Sequence, residues 1–151
     1  MTEEQVTKAI LAFLIDNGWN IVAYDFPQSG SGKMLRPNDN ISEKNKGGLI
    51  PDIVAVKNGV CLFFENKDRV VISDFQKVSS LINDNQYTND ISALLAGHSV
   101  IKIFYGVGFP SDKWNKSAAA NISLVDFIVG VTADKKTELL HNSHNIGFYE
   151  G

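Results

Sequence analysis

The chain has 151 residues, 44% of them hydrophobic and 21% charged, with a formal net charge of −3 at pH 7. That is the composition of an ordinary globular protein with enough apolar residues for a core, read as one domain over residues 1–151; its acidity argues against a nonspecific nucleic-acid coat. One cysteine, Cys61, excludes an internal disulfide, and no 18-residue apolar run or basic-plus-apolar leader is present, so a cytoplasmic location without membrane span or signal peptide is expected.

Thr2 and Gln5 have capping-box spacing, and Val6, Ile10, Phe13 and Leu14 follow at helical intervals up to a stop at Asn17-Gly18. Glu3 and Glu4 fall in the first turn, where the helix dipole favours acids. Trp19 to Phe26 reads as a strand ended by Pro27. From Gln28 to Leu49 no period is visible, and a loop this long in a compact domain is usually functional. It carries Lys33, Arg36, Lys44 and Lys46 against Asp39 and Glu43, a locally basic stretch in an acidic chain. It reads either as a nucleic-acid-contacting loop or as a solvated insertion. Gly30-Ser31-Gly32-Lys33 imitates a phosphate loop, but Pro27 and Met34 stand where that motif needs Gly and Ser/Thr, so no nucleotide cofactor is expected.

The segment PDIVAVKNGVCLFFENK, residues 51–67, organises the rest. Asn58-Gly59 between two apolar runs predicts a hairpin, because a type I′ turn needs positive φ at both central residues. With those two as the loop, Lys57 faces Val60, and pairing carried outward sets Asp52 opposite Glu65, with Lys67 diagonal on the same face. Val54, Val56, Cys61 and Phe63 then share one face, and Ile53, Ala55, Leu62 and Phe64 the other. A three-residue loop with a bulge would slip the pairing and turn Asp52 away. Facing carboxylates destabilise a buried sheet end unless a cation reverses the sign, and Mg²⁺ suits oxygen ligands of this kind.

Beyond the hairpin, Ser73 and Gln76 suggest a second capping box, with Phe75, Val78 and Ile82 as an apolar stripe. A further helical piece or a continuation runs through Ile91, Leu94 and Leu95 to Gly97. Val100 to Val107 reads as a buried strand, Gly108 to Asn121 as a polar loop or short helix with Lys113 and Trp114, and Leu124 to Val131 as another strand. The tail from Thr137 adds an edge strand. His141 and His144 lack a nearby carboxylate or cysteine partner in sequence, so a zinc site is not expected.

Pro51-Asp52 followed by Glu65-Asn66-Lys67 on the next strand resembles the PD-(D/E)xK signature of the restriction-endonuclease-like nuclease superfamily. Within it, residues 51–67 are similar to the cores of archaeal Holliday-junction resolvases and of small type II restriction enzymes, and the likeness covers about residues 1–107. The Gln-plus-Tyr helix motif of RecB-type relatives is absent. The resemblance implies an α/β fold with an αβββαβ core, a central mixed sheet flanked by helices. It also implies a Mg²⁺-dependent endodeoxyribonuclease, with Mn²⁺ as a substitute ion, leaving 5′-phosphates. Asp52, Glu65 and the Asn66 backbone carbonyl would hold the ion, and Lys67 would act on the attacking water and the developing charge. By the same likeness, Glu4 or Glu3 on the first helix would stand near the metal, and Gln76 would steady Lys67 or touch the DNA backbone. Lys33, Arg36, Lys44, Lys46, Lys77 and Lys113 are the candidate DNA contacts. Cutting both strands implies a homodimer or a partner nuclease subunit. Three functions are open: restriction-type cleavage of duplex DNA, junction resolution, and a catalytically silent binding module.

Overall fold

Thr2 Oγ1 accepts from the Gln5 N–H at 3.1 Å while Gln5 Oε1 accepts from the Thr2 N–H at 2.8 Å, a reciprocal cap that starts α1 (Glu3–Asp16). The computed structural model describes residues 1–26, 31–38 and 48–150. After α1 come β1 (Asn20–Tyr24), β2 (Ile53–Lys57), β3 (Val60–Asn66), α2 (Ile72–Asp84), α3 (Thr88–Leu94), β4 (Lys102–Pro110), α4 (Lys116–Ala120), β5 (Phe127–Val131) and β6 (Thr137–His141). Among the described residues the strands form one six-stranded sheet in sequence order. The β1–β2, β2–β3 and β5–β6 pairs are antiparallel, and β3–β4 and β4–β5 are parallel. The chain is thus α/β with a mixed central sheet flanked by helices, an arrangement compatible with the restriction-endonuclease-like core. No helix among the described residues is long and apolar enough to cross a membrane.

The β2–β3 turn has φ of 51° at Asn58 and 80° at Gly59, so both central residues occupy the left-handed region that a type I′ turn demands. Pairing runs from Lys57↔Val60 to Ile53↔Phe64 without a bulge, and the slipped register does not occur. Alternation then divides the hairpin between two cores. Ile53, Ala55, Leu62 and Phe64 pack with Val6, Ile10 and Leu14 of α1, whereas Val54, Val56, Cys61 and Phe63 pack with Phe75 and Val78 of α2. At the turn end, the Lys57 ammonium donates to the carbonyls of Asn17, Phe148 and Tyr149 at 3.0–3.3 Å, tying the end of α1 and the C-terminal segment to the hairpin.

Three details differ from the sequence expectation. First, α2 begins at Ile72 with Val71 as its cap residue and no side-chain cap, so Ser73 and Gln76 do not form a capping box. Val70 and Ile72 pack against the α2-side core, and burying them draws the helix start back into the preceding segment. Second, β4 extends to Pro110 because its parallel pairing with β5 continues through Pro110↔Val131. Third, the stretch without visible period is pinned at two points: Leu35 and Leu49 form an isolated antiparallel bridge, and both are buried in the α2-side core.

Gly108 sits where β4 passes β3 and α1. A Cβ there would lie 2.5 Å from Asn66 Oδ1 and 2.5 Å from Ile10 Cδ1, the first a fixed buried amide. Gly108→Ala is expected to destabilise the protein by about 1–3 kcal/mol through overpacking, read as a lowered denaturation midpoint at unchanged slope in urea.

Candidate active site

The regular ladder of the hairpin ends at Ile53↔Phe64. One step on, the Asp52 side chain replaces a backbone acceptor: Asp52 Oδ2 accepts from the Asn66 N–H at 2.6 Å, while the Asp52 N–H donates to the Phe64 carbonyl at 3.0 Å. Asp52 is only 7% exposed. The bond holds its carboxylate beside the end of β3, next to Glu65. Because an extended residue sends its N–H and C=O toward the same neighbouring strand, the Asn66 carbonyl leaves on the Asp52 side as well.

Alternation along β3 puts Glu65 on the α2 face and Asn66 on the α1 face. The Asn66 amide, fully buried, donates to Thr7 Oγ1 at 3.2 Å, so the strand end is tied to α1 through side chain as well as backbone. Among the described residues the Asn66 amide oxygen has no hydrogen-bond partner, closed in by the approach of Gly108. Lys67 donates its N–H to the Gly108 carbonyl at 3.0 Å, and its ammonium lies 3.7 Å from Glu3 Oε1. Glu65 forms an ion pair with Lys77 of α2 at 3.3 Å.

Charge balance here is set by burial. Desolvation, then the neighbouring Glu65, push the Asp52 carboxyl up to about 8, against the opposing pull of the Asn66 N–H. Burial raises Glu65 too, and Lys77 is the main influence holding it down. For Lys67, burial works to lower the pKa, but Asp74, Glu3, Glu65 and Asp52 outweigh it and leave the group above its usual value. Lys67 is therefore a firmly charged ammonium among acidic neighbours.

Glu3 faces this cluster, whereas Glu4 pairs with Lys8 at 3.7 Å on the exposed side of α1. Asp74 enters it from the first turn of α2, and one of its carboxylate oxygens is buried with no hydrogen-bond donor among the described residues. Gln76 is exposed on α2, and among the described residues no hydrogen bond joins it to Asp52, Glu65 or Lys67. Lys77 is brought to the site, on Glu65. Lys113, in the turn after β4, lines an open pocket of about 320 Å³ beside the start of α1 with Met1, Gln5, Asp112 and Lys135. Lys33 is exposed, and the Arg36 N–H donates to Asp90 of α3 at 2.7 Å. Lys44 and Lys46 lie outside the described residues. His144 stands 3.1 Å from Asp126, on the β5–β6 side of the molecule.

Asp74 and Thr7 were not singled out from the sequence. Thr7 had a signal: Glu3, Thr7, Ile10 and Leu14 share one face of α1, so the polar pair at its start continues the buried stripe. Asp74 had a weaker one, an acid in the first turn of the helix that follows the ExK strand.

Among the described residues no three His, Cys, Asp or Glu side chains converge closely enough to ligate one ion. The donors that fit a hard cation are two buried, mutually repelling carboxylates and a backbone carbonyl, with water completing the shell, and that set suits Mg²⁺. A carboxyl raised in the folded state binds more protons folded than unfolded, so its contribution to stability is present below its unfolded pKa and is lost as pH rises through its folded one. In cation-free buffer, stability should therefore fall between about pH 4 and about pH 8 on account of Asp52. Asp52→Asn removes that loss and is expected to melt at least ~2–4 °C above the parent at pH 8, a shift that corresponds to ~1 kcal/mol in a chain of this size. Thermal melts at both pH values check it.

No family model matches the chain, and no curated protein matches it. Among solved structures, the crystal structure of an XisH family protein from Nostoc punctiforme is similar over 91% of this chain and 99% of that one, with 14% identity and a TM-score of 0.39.

Proposed function

We propose that this protein is a Mg²⁺-dependent endodeoxyribonuclease that hydrolyses phosphodiester bonds in double-stranded DNA, in the manner of a restriction enzyme, leaving a 5′-phosphate. The observation that carries the reading is that the Asn66 N–H holds Asp52 at the open end of the hairpin, within electrostatic reach of Glu65 and Lys67. Asp52, Glu65 and the Asn66 carbonyl are the residues that would hold the cation. When bound, such an ion supplies a Lewis acid for the phosphoryl oxygens and lowers the pKa of a coordinated water.

The chain's own groups have separable tasks. Asp52 is fixed by a backbone donor, so its second oxygen is presented in one orientation. Glu65 is held by the sheet on the α2 face. Lys67 stays charged among its acidic neighbours, which suits stabilising negative charge on a phosphoryl group and orienting a water better than removing its proton. Lys33, Arg36, Lys44, Lys46 and Lys113 are proposed as phosphate contacts on the sequence pattern. One such site cuts one strand, so double-strand cleavage calls for a two-fold homodimer or a partner nuclease subunit.

A second reading, a catalytically silent DNA-binding module of the same fold, is favoured by one observation: Lys77 already supplies a positive charge to Glu65. Junction resolution, the third, is disfavoured by the net charge of −3, since gripping several DNA arms through phosphates calls for a basic surface.

A panel of duplex and four-way-junction DNAs with Mg²⁺, run beside Glu65→Ala, separates the three. Cutting of duplex at one sequence supports the first reading, cutting only of branched DNA supports resolution, and no cutting supports the silent module. Lys67→Ala is expected to lower the cleavage rate about 10²–10³-fold while leaving DNA binding intact; near-native turnover would remove the lysine from the mechanism. The Lys33→Ala, Arg36→Ala double variant should bind more weakly with a salt slope reduced by about 2, read from affinities at several salt concentrations.

A further inference from the structure

Glu65 is the more deeply placed partner of its ion pair. Its side chain is 11% exposed and that of Lys77 46%, with Nζ and Oε1 3.3 Å apart. A buried carboxylate without a counter-charge is strongly unfavourable, so a positive group must stand close to it. Lys67 contributes to it from farther away, since its own ion pair is with Glu3 at 3.7 Å. The close counter-charge arrives from α2, where Lys77 follows Asp74 by three residues on the same helical face.

We propose that Lys77 is the resident counter-ion of Glu65, occupying the cation's electrostatic place in the metal-free protein and yielding it when a divalent ion binds. The proposal rests on the reading of Asp52 and Glu65 as cation ligands. An ammonium answers Glu65 alone, whereas a divalent ion can serve Glu65 and Asp52 together, so the exchange favours the ion. Lys77 also has somewhere to go. It lines an open groove of about 180 Å³ with Gly48, Leu49, Ser80, Leu81, Gln86 and Tyr87, and a long side chain half in solvent changes position at little cost. Once displaced it stands at the rim of the site as a free ammonium, available to a phosphate oxygen. Cation binding and anion binding are then coupled through one side chain, and the internal competitor lowers the apparent cation affinity by its own occupancy.

Calorimetric titration of the metal-free protein with Mn²⁺ alone tests this. Lys77→Met and, as an independent variant, Lys77→Gln are expected to bind Mn²⁺ about fivefold more tightly than the parent, the scale of a partly exposed ion pair. Lys77→Arg should behave as the parent. Glu65→Gln should bind at least about tenfold more weakly, and adding Lys77→Met to it should give no gain. A merely structural lysine would move the melting temperature of all Lys77 variants without tightening Mn²⁺. If Lys77→Met and Lys77→Gln bind Mn²⁺ no better than the parent while Glu65→Gln still weakens it, the exchange is overturned and the cation site stands. If neither parent nor variants bind Mn²⁺, the cation site and the exchange both fall.

Discussion

The hydrogen bond from the Asn66 N–H to Asp52 Oδ2, 2.6 Å long and buried, is the constraint on which the rest of the site depends. The backbone ladder of β2 and β3 stops just short of it, and a side chain takes over the acceptor role that a carbonyl filled until then. That substitution keeps the chain paired for one more step and spends the side chain's freedom on a fixed orientation. It also aims the Asn66 carbonyl toward the same point. The Asn66 amide then links to Thr7, so the strand end, the first helix and the acid at that helix's start move as one unit. The α2 side closes the arrangement with Asp74 and Lys77.

Such a site is arranged against its own stability. Burial pushes both Asp52 and Glu65 toward the neutral form, Glu65 makes ionisation of Asp52 harder, and Asp74 makes ionisation of Glu65 harder. Two positive charges offset that cost: a proton held on Asp52 up to about pH 8, and the Lys77 ammonium on Glu65. Lys67, meanwhile, stays charged because its acidic neighbours, Asp74 and Glu3 foremost, outweigh its burial. Strongly shifted groups with specific charge partners, gathered at a strand end, are what makes this cluster the candidate functional site.

The cores on the two faces of the sheet serve this end of the molecule. α1 packs its apolar stripe on Ile53, Leu62 and Phe64, and that packing fixes how far its first turn projects toward Lys67. α2 packs Phe75 and Val78 on the opposite face, and the same anchoring sets where Asp74 and Lys77 reach. Gly108 permits β4 to pass so close to Asn66 that the buried amide has no room to turn.

By itself the sequence determined what short-range rules control. Thr2 and Gln5 started α1, Asn58-Gly59 dictated the turn, and strict alternation then assigned every hairpin residue to a face and brought Asp52 to Glu65. Those features follow from local hydrogen bonds and dihedral preferences, which neighbouring residues decide among themselves. Tertiary packing decided the rest: that α2 starts at Ile72, that Glu3 and not Glu4 faces Lys67, that Leu35 meets Leu49, and that Lys77 lies on Glu65. Each of those outcomes depends on residues far apart in the chain competing to be buried or neutralised, and such competition leaves no periodic mark on the sequence that takes part in it.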